Sequence, residues 1–205
     1  MPLSSWYTPA PLFKTLPEGF SDEVVTATFP EHHLRFRNQP WAMRVGLGQL
    51  TVDEWRRHMA ALVPLPDNLP SPHALRYHGH QFRHYNPYLG DGRGVLLAQV
   101  RDPLDGRLLD LGTKGSGQTP WSRGGDGRLT LKGGVREVLA TEMLEALGVS
   151  TSKTFSLFET GESLIRHDEP SPTRAAILVR LSHSHIRYGT FQRLQYMGDK
   201  AGLQT

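Results

Sequence analysis

The chain contains no cysteine among its 205 residues. That absence excludes a disulfide framework, a thiol nucleophile and a zinc site built on thiolates. A reducing compartment is compatible with this composition, although the absence of cysteine alone does not require one.

Long apolar runs and dense basic runs are also missing. No stretch reaches the roughly 18 apolar residues of a membrane helix, and the first 20 residues mix Lys14 and Glu18 with prolines instead of forming a signal-peptide core. We therefore expect a soluble cytoplasmic protein without a membrane partner. The formal charge is only +3 and the basic residues are dispersed, which disfavours a nucleic-acid tract.

Lysine is scarce, at five residues, so arginine carries most of the positive charge. The guanidinium group suits bidentate contacts with phosphate or carboxylate. Arg180 and Arg187 lie seven residues apart at the exit of an expected strand, where they could clamp a phosphate group. Surface salt bridges are the simpler interpretation of either arginine alone.

Glycine, by contrast, is concentrated in the middle of the chain. Gly90, Gly92 and Gly94 form a tight cluster that lets the backbone approach an anion, and an apolar strand follows over Val95–Val100. A second strand from Leu108 leads into Lys114, and Asp102–Gly106 between the two strands is a strong hairpin turn. A second glycine-rich loop, Gly115–Arg128, contains Arg123, Asp126 and Arg128 and is either a linker or a ligand clamp.

The periodicity predicts further elements around this centre. They are a strand over Glu23–Phe29, a helix over Val52–Leu62 capped by Thr51 and Glu54, a helix over Lys132–Leu147 with Val135, Leu139, Met143 and Ala146 buried, strands over Thr154–Phe158, Ser163–Arg166 and Ala175–Leu181, and a helix beginning near Phe191. The five strands from Val95 onward and the helix over Lys132–Leu147 that crosses them predict an α+β lobe. Glu137 lies off the apolar stripe of its helix, so it is either solvated or directed at the hairpin.

Three histidines between Tyr77 and Tyr85 raise the possibility of a metal site. No carboxylate or cysteine lies close to them in sequence. Packing or hydrogen bonding of His80 and Gln81 beneath the glycine cluster is the preferred interpretation, and we predict no metal ligands in the chain.

The order of parts, from glycine turn to strand lysine to helix glutamate, resembles the small lobe of a protein kinase. A more specific resemblance is carried by the segments HQF, NPYLGDGR, KGSGQTPWSRGGDGR, VREVLATEMLEALGV and SHIRYGTF. In order and spacing they are similar to the selenoprotein O family, over about Trp41–Leu194. The resemblance implies a protein-kinase-like fold that binds ATP in a flipped orientation and transfers AMP to Ser, Thr or Tyr hydroxyls of protein substrates.

The resemblance also implies roles for individual residues. Lys114 would contact the phosphates and Glu137 would orient Lys114. The other nucleotide-binding positions would be Gly90, Gly92, Arg93, Asp126, Gly127, Arg180 and Arg187.

Family members are more than twice as long, and their catalytic aspartate and the Asn and Asp that hold Mg²⁺ lie in a C-terminal lobe. We therefore expect a truncated chain: residues 1–72 as an arm and helix packing on the lobe, 73–190 as the nucleotide-binding small lobe, and 191–205 as the start of the second lobe. Such a chain is expected to lack catalysis by itself. Two alternatives stay open: a phosphotransferase lobe that binds ATP unflipped, and a non-catalytic nucleotide- or nucleic-acid-binding module.

Overall fold

A computed structural model describes residues 3–205, which combine an antiparallel sheet with α-helices. Its strands are β1 (Ser21–Glu23), β2 (His33–Arg37), β3 (His73–Leu75), β4 (Gly79–Gln81), β5 (His84–Asn86), β6 (Leu96–Arg101), β7 (Leu108–Lys114), β8 (Leu129–Thr130), β9 (Lys153–Leu164) and β10 (Thr173–Ser182). Its α-helices are α1 (Gln39–Arg44), α2 (Val52–Met59), α3 (Leu131–Ala146) and α4 (Tyr188–Tyr196). None of the helices in this described range is both long and apolar enough to cross a bilayer. The predicted α+β class is confirmed at this level.

Eight strands form one sheet in the order β1-β3-β6-β7-β10-β9-β2, with β8 paired to β10. Every pairing in it is antiparallel. Strands β1 and β2 precede residue 73, so the segment expected to be an arm and helix packing on the lobe contributes both ends of the sheet. The domain boundary at residue 73 stays a prediction.

Helix α2 supplies the largest side chain of the core. Thr51 and Glu54 form the predicted capping box, in which each side chain binds the backbone N–H of the other residue. Trp55 and Met59 are fully buried and pack with residues of β9 and β10, Trp55 against Phe155 at 5.0 Å between ring centroids. The helix ends at Met59 and not at Leu62, which is buried with a φ of 55°.

The hairpin at the centre of the sheet is also confirmed. Strands β6 and β7 pair in antiparallel register, and the N–H of Gly106 donates to the carbonyl of Asp102 across the turn. Gly106 has a φ of 75°, the conformation for which glycine is favoured. Lys114 is consequently held at the end of β7, the strand that pairs directly with β10.

The strand expected over Glu23–Phe29 is wrong for most of its length. Only Ser21–Glu23 pair with a neighbour, and residues 24–29 have no regular structure. The N–H of Ala27 donates to Ser116 in the second glycine-rich loop instead of to a strand. Phe29 is nevertheless buried in the main core. Its apolar side chain therefore packs in the core although its backbone belongs to no strand.

The two strands expected on either side of Thr160–Glu162 are one strand, β9. Gly161 has a φ of 75°, and the pairing with β10 shifts register there without reversing the chain. A single glycine with positive φ thus produces a bulge where a turn was predicted. The count of five strands was nevertheless too low, because β1, β2, β3 and β8 were not assigned to the sheet.

The buried stripe predicted for α3 is wrong. Val135, Leu139 and Met143 are 42%, 65% and 62% exposed, and Ala146 is exposed as well. The helix turns its small residues to the sheet: a Cβ on Gly134 would collide with the side chain of Leu157 in β9. The close approach of α3 to the sheet therefore sets which face of the helix is buried. The apolar periodicity of the helix does not.

Candidate nucleotide-phosphate site

A cleft of about 940 Å³ collects the predicted nucleotide-binding residues. Three of its cationic side chains come from separate elements: Lys114 ends β7, Arg180 lies in β10, and Arg187 is the N-cap residue of α4. The other predicted positions that line it are Gly90, Gly92, Arg93, Asp126 and Gly127. Glu137 lines an adjoining recess instead.

Strand register explains why Lys114 and Arg180 meet. Arg180 lies opposite Gly112, and Gly112 is two residues before Lys114 on β7. Residues directly opposite each other, and residues two apart on one strand, project from the same face of a sheet. Gly112 adds no side chain of its own, and the imidazole of His185 occupies the space that a Cβ there would need.

Lys114 forms an ion pair with Glu137 on α3, and the two side chains are each 24% exposed. Burial, together with the charges of Arg93, Arg180 and Arg187, lowers the pKa of Lys114 to about 8. The carboxylate of Glu137 acts against that decrease. Any additional anion in the cleft would therefore stabilise the protonated, charged form of Lys114.

Arg180 has no acidic side chain within ion-pair distance among residues 3–205, and its buried Nε has no hydrogen-bond partner there. Burial, followed by the charge of Arg187, lowers the pKa of Arg180. A guanidinium group in such surroundings is costly unless a ligand neutralises it. Arg187 is better satisfied, since its Nη2 lies 3.5 Å from Oδ1 of Asp91 and its guanidinium lies over the ring of Tyr77.

The glycine cluster is shaped by its neighbours in the chain. A Cβ on Gly90 would enter the ring of Trp121, and one on Gly94 would overlap the carbonyl oxygen of Thr113. Neither residue has a positive φ. The missing side chains therefore let the turn pack closely on the second loop and on β7, which brings the backbone of the turn to the edge of the cleft.

The second loop is tied down on both sides. Nη1 of Arg166 lies 2.8 Å from Oδ2 of Asp126. Although burial alone would raise it, the pKa of Asp126 is lowered by Arg166 and by the backbone N–H of Arg128. Gly127 has a φ of 69° and passes so close to the backbone of Gly117 that a Cβ would collide with it. These contacts make the loop one wall of the cleft.

Comparison with known proteins identifies the family. The family model described as protein adenylyltransferase SelO matches residues 3–205. The chain belongs to the SelO family. A protein nucleotidyltransferase YdiU of Gloeobacter violaceus is 57% identical over 194 residues, which cover 95% of this chain and 40% of the relative.

Two further relatives carry the same printed name. The Synechocystis sp. protein is 57% identical over 188 residues, covering 91% of this chain and 38% of its own length. The Alkalilimnicola ehrlichii protein is 41% identical over 198 residues, covering 94% of this chain and 38% of its own length. This SelO-family chain thus spans about two fifths of the curated relatives that it matches.

Two cleft residues of the SelO-family chain were missed from the sequence. Asp91 lies between two of the predicted glycines; it accepts a hydrogen bond from the N–H of Leu75 and faces Arg187, and burial raises its pKa. Arg166 follows the end of β9 and holds Asp126. Both act through contacts distant in sequence, so only the adjacency of Asp91 to Gly90 and Gly92 offered a signal.

The histidine segment forms a small hairpin of β4 and β5 beside the cleft. His80 is exposed, contrary to expectation, whereas Gln81 accepts hydrogen bonds from Arg123 and Asn86. His78 is buried, with its Nδ1 2.8 Å from the hydroxyl oxygen of Tyr85. Over residues 3–205, no group of three or more His, Cys, Asp or Glu side chains is arranged to hold a metal ion.

Proposed function

We propose that this chain is the ATP-binding part of a protein adenylyltransferase, which transfers AMP from ATP to a Ser, Thr or Tyr hydroxyl of a protein. The observation that carries the proposal is the partly buried guanidinium of Arg180, which has no partner among residues 3–205 and lies beside Lys114 and Arg187 in one cleft. An anionic ligand with several oxygens is the natural partner of such a set. The name of the matching family model supplies the reaction.

In this proposal each side chain has a defined task. Arg180 and Arg187 bind phosphate oxygens through their planar donor forks, and Lys114 adds a point charge. Glu137 keeps the flexible lysine directed into the cleft. Fixed cations of this kind stabilise the charge that develops on the phosphates during transfer without rearranging.

The arrangement of glycine turn, strand lysine and helix glutamate supports a protein-kinase-like small lobe as the proposed architecture. We further propose the flipped orientation of ATP, because the arginines surround Lys114 on the sheet face and could hold the end of the triphosphate there. Mg²⁺ would screen the phosphates and support transfer, and its protein ligands are proposed to lie in the part of the relatives that this chain does not span.

The affinity for ATP should fall as the pH rises above about 8. The pKa of Lys114 is lowered to about 8 in the free cleft, and nearby phosphate oxygens would raise it. Above pH 8 the free lysine has lost a proton that the bound lysine retains, so binding must take up a proton and weakens by up to about tenfold per pH unit. Isothermal titration calorimetry between about pH 7.5 and 9.5 measures this slope.

Lys114→Arg is the matched control for the pH experiment. An arginine stays charged throughout this range, so the variant should bind ATP with little pH dependence. An equal slope in the variant and the unsubstituted chain would assign the titration to another group.

The transfer reaction itself is tested in a full-length relative such as that of Gloeobacter violaceus. ATP labelled on the α-phosphate should mark a protein substrate, and ATP labelled on the γ-phosphate should not. Replacing the lysine aligned with Lys114 by alanine should remove the mark. The reverse labelling pattern would instead establish phosphoryl transfer, which the same lysine and glutamate could serve.

A further inference from the structure

A second recess, of about 640 Å³, adjoins the cleft along the N-terminal half of α3. Six basic and three acidic side chains line it, which leaves an excess of positive charge. It shares five charged residues with the main cleft, namely Arg93, Lys114, Arg128, Arg166 and Asp168. Lys132 and Arg136 belong to the recess alone. A group bound there would therefore lie next to the proposed phosphate site without occupying it.

The cations of the recess are only partly neutralised within the chain. Arg93 and Arg136 have no acidic partner within 4 Å among residues 3–205. Lys132 forms one long ion pair, in which its Nζ lies 3.4 Å from Oε2 of Glu169. The recess also faces the first turn of the 16-residue helix α3, whose dipole favours an anion. These observations together predict an anionic occupant.

The size of the main cleft argues that this occupant is not the nucleotide. Its volume of about 940 Å³ lies at the upper end of the roughly 300–1,000 Å³ typical of small-molecule sites, so it accommodates one nucleotide without the recess. The three carboxylates of the recess, Glu137, Asp168 and Glu169, would repel a continuous polyanion such as nucleic acid. One or two isolated carboxylates fit the mixed charge better.

We propose that this recess binds acidic side chains flanking the hydroxyl residue of the protein substrate, so that the enzyme favours hydroxyls in acidic sequences. The proposal rests on the proposed adenylyl transfer, since it names the substrate class of that same site. Arg136 and Lys132 are the specificity residues: they contact the peptide beside the target hydroxyl and take no part in binding the phosphates.

The test uses this chain in the presence of ATP and a fluorescein-labelled peptide with one serine between glutamates. A second peptide carries glutamines at the same positions. Fluorescence anisotropy should show about fivefold to tenfold tighter binding of the glutamate peptide, the size expected for two partly exposed charge pairs. The preference should shrink as salt is raised, because exposed charge pairs are screened.

The double variant Lys132→Ala/Arg136→Ala should lose the preference while keeping the ATP-induced thermal shift of the unsubstituted chain. Arg57→Ala is the control, because Arg57 is an exposed arginine on α2 that lines neither cavity, and it should keep the preference. Equal affinity for the two peptides, a preference that persists in the double variant, or a double variant that loses the ATP shift would each overturn the assignment. Absence of an ATP shift in the unsubstituted chain would instead contradict the proposed function.

Discussion

Replacing Arg180 with methionine should remove most ATP binding while leaving the free chain at least as stable. A charge-assisted hydrogen bond contributes about 1.5–3 kcal/mol, so Kd should rise about 10- to 100-fold. The free chain loses a guanidinium whose buried Nε has no partner in the described structure, which removes a desolvation cost. Calorimetry with ATP and thermal unfolding without it measure the two effects separately.

The opposite directions of these effects distinguish a ligand-binding arginine from a structural one. Arg174→Met is a matched control, because Arg174 lies on the same strand and its side chain is 69% exposed. It should leave ATP binding unchanged. If Arg180→Met unfolded the free chain, or bound ATP as tightly as before, Arg180 would have a structural role and the proposed site would lose its main support.

Replacing Trp55 with alanine should destabilise the chain by about 3–5 kcal/mol, the usual cost of removing a large buried aromatic side chain. Trp55 is fully buried and packs against Phe155 of β9, and its ring centroid lies 4.3 Å from the guanidinium carbon of Arg37. These contacts join α2 to both β2 and β9. Urea denaturation should therefore show one cooperative transition at a lower midpoint.

Val52→Ala on the same helix is the control for this experiment. Val52 is 61% exposed, and its truncation should cost less than about 0.5 kcal/mol. Two separate transitions in the unsubstituted chain would show that residues before 73 fold independently of the rest and would contradict the shared core. A loss below about 1 kcal/mol for Trp55→Ala would contradict the shared core.

The elements that the sequence predicted well are those governed by local chemistry. The capping box at Thr51 and Glu54 and the turn at Asp102–Gly106 depend on residues a few positions apart, and both are present. The orientation of α3 depends instead on how closely Gly134 approaches Leu157 of β9, a contact that its own periodicity does not encode. Gly161 likewise forms a bulge and not a turn, because β9 continues to pair with β10 on both sides of it.

The candidate site shows the same division. Strand periodicity and the motif resemblance were sufficient to select Lys114, Arg180 and Arg187, and the structure places them in one cleft. Whether they bind a nucleotide stays a prediction. Asp91 and Arg166 were missed because their contacts cross from the glycine turn to α4 and from β9 to the second loop. These ion pairs form only once the sheet brings distant segments together, so no short stretch of sequence predicts them.

The most direct test of the account compares ATP, ADP, AMP and inorganic triphosphate as ligands of this chain by isothermal titration calorimetry. If the arginines and Lys114 bind the phosphates, affinity should fall by about tenfold or more for each phosphate removed, the effect of losing one charge-assisted contact. Inorganic triphosphate should compete with ATP. Adenosine monophosphate binding as tightly as ATP, or no binding of ATP by the folded chain, would contradict the account.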